Sequence, residues 1–405
     1  MTRTVAQREI PTDDRLKIAR DVAVRLLSYC RTNDWAGHDP YDALNSPVFG
    51  FFPFRDSRLP RLVFTQVMKR SPVNFRPLFR IPPTHNPKAL GLFLAAFLKL
   101  SRLGLLDRED LVGVVTEKLV ALRAQGTPYW CWGYSFPWQT RTIIVPRGAP
   151  NLVCTTFVAN ALLDAYEGGG DSRFLSMAVS AAEYLLNELY WTEGDSVAGF
   201  GYPLPSSRSR VHNANFLGAA LLCRVSRQCG DTKFIEPALK VARYSAARQQ
   251  EDGSWHYGES HTQRWIDSFH TGYNLCAMQC ICRYAQTSEF EPHIRRGFQF
   301  YRDHFFREDG ASRYFHDRTY PVDVHSVAQS LITLMMLKDL DERSVDIARS
   351  VLEWAMEHLW DERGYFYYQK HVCWTNRIPY LRWGQAWMLL ALATYLEEKQ
   401  RETLA

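Results

Sequence analysis

An internal periodicity constrains this chain more than any other feature. At Asn151, Asn213, His270, His325 and Arg382, a loop rich in aromatic residues and arginine gives way to a small-residue helix that opens on a polar side chain. The openings recur at roughly 57-residue intervals, the length of one helix-rich unit that must bury its apolar face on the next. Between them two kinds of helix alternate. Arg15–Arg31, Arg108–Arg123, Ser172–Tyr190, Lys233–Gln250, Pro292–Phe306 and Ser344–Trp360 are amphipathic, with charges along one face. Pro87–Leu103, Leu152–Ala165, Phe216–Cys229, Thr271–Ala285, Val324–Leu337 and Trp383–Leu396 are apolar nearly all round, which marks a buried helix. Exposed and buried helices in alternation predict an all-α fold. Its form is an (α/α) toroid of six or seven hairpins, an incomplete barrel with long mouth loops, in one domain over residues 1–405.

The links on one side are short (Gly168–Asp171, Gly230–Thr232, Asp339–Arg343), whereas those on the other are long (Trp191–His212, Asp361–Tyr380). Long irregular loops in compact folds are usually functional, so the site is expected at the mouth where they gather. Short strand pairs are expected there, near 199–203, 255–258 and 365–369. Residues 32–84, with the run Asp39–Pro47 (DPYDALNSP), many prolines and one helix near Leu59–Lys69, read as a strap across the mouth.

Composition narrows the function. The aromatic share of 14%, with 12 Trp, 20 Tyr and 23 Phe, exceeds what helix packing needs and suits ring faces lining a bowl. A net charge of +5 without a lysine or arginine run gives nucleic-acid binding little support. No apolar h-region opens the sequence, no apolar stretch reaches membrane-spanning length, and the nine cysteines follow no framework spacing. A cytoplasmic enzyme without a transmembrane segment is expected. The pair His256 and His261 and the group Cys276, Cys280 and Cys282 read as loop and core residues, so no metal and no cofactor is assigned.

The polar residues at the mouth point to acid–base work on an acidic sugar. In a ring, successive helix openings become neighbours, which would bring Asn213, His270, Arg318 and Tyr320 together. Asn213 and Arg318 would neutralise a carboxylate, His270 would act as base near neutral pH, and Tyr320 would donate a proton. Asn215, Tyr273, His325, Arg382, Trp255, Trp132 and Trp138 complete the expected substrate-binding set. Arg141, Arg147, Arg208, Arg210, Arg264 and Arg377 also fall in the mouth loops, a charge pattern that would draw an anionic glycan. Asn151, Asn213 and Asp323 equally fit helix N-caps.

The order Asn213, His270, Arg318, Tyr320 on successive units resembles the toroidal polysaccharide lyases that cleave alginate and glucuronan. That resemblance implies removal of the C5 proton of a uronate, with Asn and Arg on the carboxylate, His as base and Tyr as acid. The DPYDALNS and RWGQAW runs resemble uncharacterised proteins of capsule and exopolysaccharide gene clusters, which implies a polysaccharide or lipid-linked glycan as substrate. In that setting a C5-epimerase is a variant of the same chemistry. The run Gln250–Trp255 (Q-x-x-G-x-W) resembles the repeat of squalene and terpene cyclases, without their D-x-D-D acid.

Three alternatives stand beside this reading. A glycoside hydrolase could use Asp267 and Asp323, with Glu259 and Asp317 nearby, if two carboxyls lay about 5–9.5 Å apart across a cleft. A monosaccharide epimerase could use His270 and His325 as paired bases. A non-catalytic glycan-binding protein could use the aromatic run Tyr129–Trp138 (YWCWGYSFPW) as a stacking platform.

Overall fold

The computed structural model describes residues 12–51, 57–106, 108–140 and 142–404. Six inner helices, α3 (Pro87–Arg102), α5 (Leu152–Glu167), α7 (His212–Cys229), α9 (Ser268–Ala285), α11 (Val324–Met336) and α13 (Ala386–Leu404), each pack on the next. The last returns to the first: α13 lies against α3. The ring is therefore closed, with six inner helices, where an incomplete barrel of six or seven hairpins was expected. Closure follows from burial. Ala386, Met388, Leu389, Ala391, Leu392 and Ala393 on α13 and Ala89, Leu90, Phe93 and Phe97 on α3 are sealed from solvent, and an open ring would leave such faces wet.

The outer helices are α1 (Thr12–Thr32), α4 (Arg108–Ala121), α6 (Ser172–Tyr184), α8 (Ile235–Ala246), α10 (Glu291–Phe305) and α12 (Ser344–His358). Each covers an inner neighbour, with α1 on α13. Close approach between inner helices requires small residues. At Gly272 on α9 a Cβ would stand 2.6 Å from Thr333 Oγ1 on α11. Caps begin several inner helices: Asn151 Oδ1 accepts the Cys154 amide at 2.9 Å, Asp267 Oδ1 that of His270 at 2.9 Å, and Asp323 Oδ1 that of His325 at 2.8 Å. Asn213 departs from that pattern. It is the second residue of α7, whose N-cap position is held by Val211 without a side-chain bond.

The mouth loops carry short antiparallel pairs, Tyr190–Glu193 with Val197–Phe200, Trp360–Asp361 with Tyr365–Phe366, and Trp138–Gln139 with Ile144–Val145. A three-stranded sheet joins Val322–Asp323, Gln369–Lys370 and Thr375–Asn376. Residues 255–258 form no strand pair, although Gly258 bridges Val211.

The strap contains α2 (Arg58–Arg70) and is anchored by a buried ionic network. Arg76, fully buried, donates from Nε to Asp42 Oδ1 at 2.7 Å, from Nη1 to the Tyr380 hydroxyl at 2.9 Å and from Nη2 to the Asp39 carbonyl at 2.7 Å. Asp39 in turn accepts both arms of Arg382, Nε at 2.6 Å and Nη2 at 2.8 Å. Two sequence runs that stand at opposite ends of the chain, DPYDALNS and RWGQAW, thus meet in one fork-to-fork contact. Removing one partner of a buried pair leaves an uncompensated charge, whereas removing both restores much of the loss. Arg76→Leu should lower stability by about 3–5 kcal/mol in urea unfolding, and Arg76→Leu with Asp42→Leu should cost less than the single change.

Candidate active site

Above the inner-helix openings lies a cavity of about 570 Å³. Aromatic side chains form most of its wall, including Tyr41, Tyr134, Trp138, Tyr257, Trp265 and Tyr273. Its polar lining has one sign: Lys69, Arg70, Lys88 and Arg382 contribute, and none of the residues lining it is Asp or Glu. Asn213, His270, His325 and Gln66 add further hydrogen-bonding groups beside the tyrosine hydroxyls. Basic side chains without carboxylates, set among ring faces, have the chemistry to take an anionic ligand that also presents apolar faces to stack.

His270 is the best-oriented titratable group. Its Nδ1–H donates to Asp267 Oδ2 at 2.7 Å, and the same oxygen accepts the Trp265 indole N–H at 3.0 Å. Asp267 is buried and, through its other oxygen, caps the helix that carries His270. The ring is further held by Tyr257 and Phe269, with centroids 4.6 and 4.1 Å away. A carboxylate on Nδ1 fixes the tautomer and leaves Nε2 as the free proton acceptor.

A second proton-handling pair stands beside it. The Tyr273 hydroxyl and His325 Nε2 are 2.6 Å apart, both side chains buried. Burial, reinforced by Lys88, Arg382 and His270, holds the His325 imidazole well below its usual range, and burial holds the Tyr273 phenol well above its own. The contact therefore joins a neutral imidazole to a neutral phenol.

Lys88 is the residue that sequence reasoning missed. It lies in the first turn of α3, 3% exposed, with its Nζ 4.1 Å from the Phe157 ring centroid and 5.1 Å from that of Trp387. Burial, then the nearby Arg382, pushes its ammonium well below the usual lysine range. The helix N-terminus disfavours the charge further, and among the described residues no carboxylate forms an ion pair with it. The available signal was positional, since Asn86–Lys88 opens the sixth inner helix in the manner of the other five.

The structure divides the sequence-based set. Asn213, His270, Tyr273, His325, Arg382 and Trp138 line the cavity. Arg318 does not: its side chain is 59% exposed and pairs with Asp317 at 3.0 Å, because the loop turns Tyr314 and Phe315 inward instead. Tyr320, half-buried in the same loop, lies outside the lining. Asn215 is a structural tie, donating to Ser245 Oγ at 2.9 Å and accepting from the Phe200 amide at 3.1 Å. Trp132 and Trp255 are core residues whose indoles donate to the carbonyls of Leu119 and Ser245. Of the mouth arginines, Arg210 pairs with Glu193 and Glu259, Arg147, Arg208, Arg264 and Arg377 stand off the lining, and Arg141 lies outside the described residues.

The carboxylate pair of the hydrolase alternative is also placed. Asp323 is wholly buried and takes donors from the Gln369 amide at 2.6 Å and the Trp383 indole at 2.9 Å, with burial raising its carboxyl to about 6. Neither it nor Asp267 lines the cavity. Glu259 is engaged by Tyr244, Arg248 and Arg210. Among the described residues no group of three or more His, Cys, Asp or Glu side chains is arranged to hold a metal ion, and no helix is long and apolar enough to cross a membrane.

No family model matches the sequence, and no curated protein matches it significantly. Solved structures do resemble the fold. A cellobiose 2-epimerase from Spirochaeta thermophila is 13% identical with a TM-score of 0.59, over 79% of this chain and 87% of that one. A cellobiose 2-epimerase from Bacillus thermoamylovorans is 10% identical with a TM-score of 0.61, over 78% and 88%. An unsaturated glucuronyl hydrolase from Streptococcus agalactiae is 12% identical with a TM-score of 0.62, over 96% and 93%. These likenesses establish the α/α toroid as the fold of this chain.

A lysine buried without an ion-paired carboxylate is a cost to folding. Lys88→Met should raise stability by about 0.5–2 kcal/mol near neutral pH. Because the folded-state value lies below that of the unfolded chain, the unfolded state binds the extra proton below about pH 10. The advantage of Lys88→Met should therefore narrow as pH rises toward that value, which thermal melts at several pH values would read.

Proposed function

We propose that this chain is a carbohydrate-active enzyme that removes the C5 proton of a uronate unit in an anionic glycan and replaces it with another on the opposite face, a C5-epimerase. The observation that carries this reading is the His270–Asp267 dyad opening onto a cavity with four basic side chains and no carboxylate in its lining. Glycoside hydrolysis is the second reading, favoured by the likeness to glucuronyl hydrolases and by Asp267, which lines a small pocket adjoining the cavity with Asn213 and His270. The likeness to sugar epimerases and to a glucuronyl hydrolase agrees with a sugar, and with an acidic one.

In this scheme Nε2 of His270 accepts the C5 proton, and the electron pair moves into the adjacent carboxylate. The resulting enediolate carries two negative charges. Lys88, Arg382 and the Asn213 amide lie where hydrogen bonds and charge can meet them, in surroundings from which ring faces exclude water. An arriving carboxylate also favours the charged form of Lys88, since an opposite charge offsets its burial. Tyr273 then delivers its hydroxyl proton to C5 from the other side, and the phenolate so formed accepts the His325 Nε2–H across the 2.6 Å contact. On product release Tyr273 regains a proton from solvent while His270 gives up the one it took. The acid role expected of Tyr320 thus passes to Tyr273, and the carboxylate role of Arg318 passes to Lys88. Loss of the C4 substituent after the same first step would give a β-elimination lyase.

Incubation of uronate polymers and oligosaccharides in deuterium oxide separates these outcomes. Deuterium at C5 without absorbance from an unsaturated uronate is expected, and His270→Ala should reduce the rate by about 10²–10⁴-fold. Absorbance with exchange would indicate a lyase, and new reducing ends with neither signal would refute carbon-acid chemistry.

A further inference from the structure

The strap carries an apolar surface that the proposed chemistry does not use. Among the described residues, Val48, Phe51, Leu59, Val63, Val67, Val73, Phe75 and Leu78 make up half of the exposed large hydrophobic side chains, although the segment is a small part of the chain. Three of them recur every four residues on α2: Leu59 at 71% exposure, Val63 at 53% and Val67 at 52%. That spacing places them in one stripe along the helix. The opposite face is already engaged, with Phe64 and Met68 packed on Ala43, Ile81 and Phe79. The helix is thus apolar on both sides, and among the described residues only one side has a partner.

Charge selects the occupant. From Ser57 to Arg80 the sequence holds Arg58, Arg61, Lys69, Arg70, Arg76 and Arg80 and no Asp or Glu. Arg58, Arg70 and Arg80 are exposed. A second copy seated on this face would set these arginines against their own equivalents, a repulsion that disfavours a symmetric dimer. An anionic lipid surface meets both features at once, taking the apolar stripe into its interface and pairing the arginines with headgroups.

We infer that α2 is an interfacial helix that docks the toroid on an anionic membrane surface. Gln66, Lys69 and Arg70 of the same helix line the cavity, so docking would set the mouth beside the headgroups. A glycan carried on a lipid would then reach the cavity without leaving the membrane. The docking itself rests on exposure and charge and is independent of the catalytic reading, so either can fail while the other holds.

Flotation of the full chain with vesicles tests this, using phosphatidylcholine alone and phosphatidylcholine with about a third phosphatidylglycerol. The protein should float with the anionic vesicles, remain behind with the neutral ones, and release as salt is raised. Leu59→Glu with Val63→Glu, both outside the cavity lining, should reduce flotation by about tenfold or more with an unchanged melting temperature. Failure to float with anionic vesicles, or equal flotation of the variant, would overturn the inference. So would a concentration-dependent dimer in sedimentation that the same variant dissolves, which would assign the stripe to a second copy.

Discussion

The attachment of the strap to the ring, and the placing of a cation in the cavity wall, depend on one contact, the fork of Arg382 on Asp39. Arg382 stands in a wide helical turn, Leu381–Gln385, that leads into α13, and Asp39 begins the strap. The contact ties the two ends of the toroid to each other and, through Arg76 and Asp42, holds the strap down. It also sets the electrostatics of the cavity. Asp39 offsets the charge of Arg382 from behind while the guanidinium lies over the Tyr134 ring, 5.0 Å from its centroid. One buried carboxylate thereby allows a cation to line an aromatic cavity without placing an acid inside it.

That compensation is uneven. Arg382 and Arg76 have buried carboxylate partners, and Lys69 donates to Tyr41 at 2.6 Å. Lys88 faces aromatic rings and, among the described residues, has no ion-paired carboxylate, at the end of a helix whose dipole opposes its charge. In the proposed reaction an anionic substrate supplies the missing partner. His270 with its buried carboxylate and Tyr273 with its imidazole give the same cavity two distinct proton-handling pairs. In the proposed reaction one pair takes a proton from one face of a carbon and the other gives a proton to the opposite face.

Helix order and the two rings were legible in the sequence because apolar all-round and one-faced helices obey different periodicities, and α5, α7 and α9 begin within four residues of their expected starts. The mouth was legible too, since loop length alone marks it. Individual roles were not. Arg318 and Tyr320 share a loop with Tyr314 and Phe315, and nothing in the run HDRTYPVDVH tells which side chains turn inward. Trp132 and Trp255 look like sugar platforms in sequence because burial of an aromatic ring in a repeat interface leaves no different mark. Lys88 was hidden by its own helix, whose apolar pattern assigned every position to the core. Asp39 and Arg382 lie 343 residues apart, and only closure of the ring reveals that they meet.

The most direct measurement is calorimetric titration with a uronate oligosaccharide and with its carboxyl-reduced, neutral counterpart, each in buffers of different ionisation enthalpy. Preference for the uronate by about tenfold or more, with net proton uptake that disappears in Lys88→Met, is the result that the cation-lined cavity predicts. Equal affinity for the two ligands, or binding of the uronate without proton uptake, would contradict it.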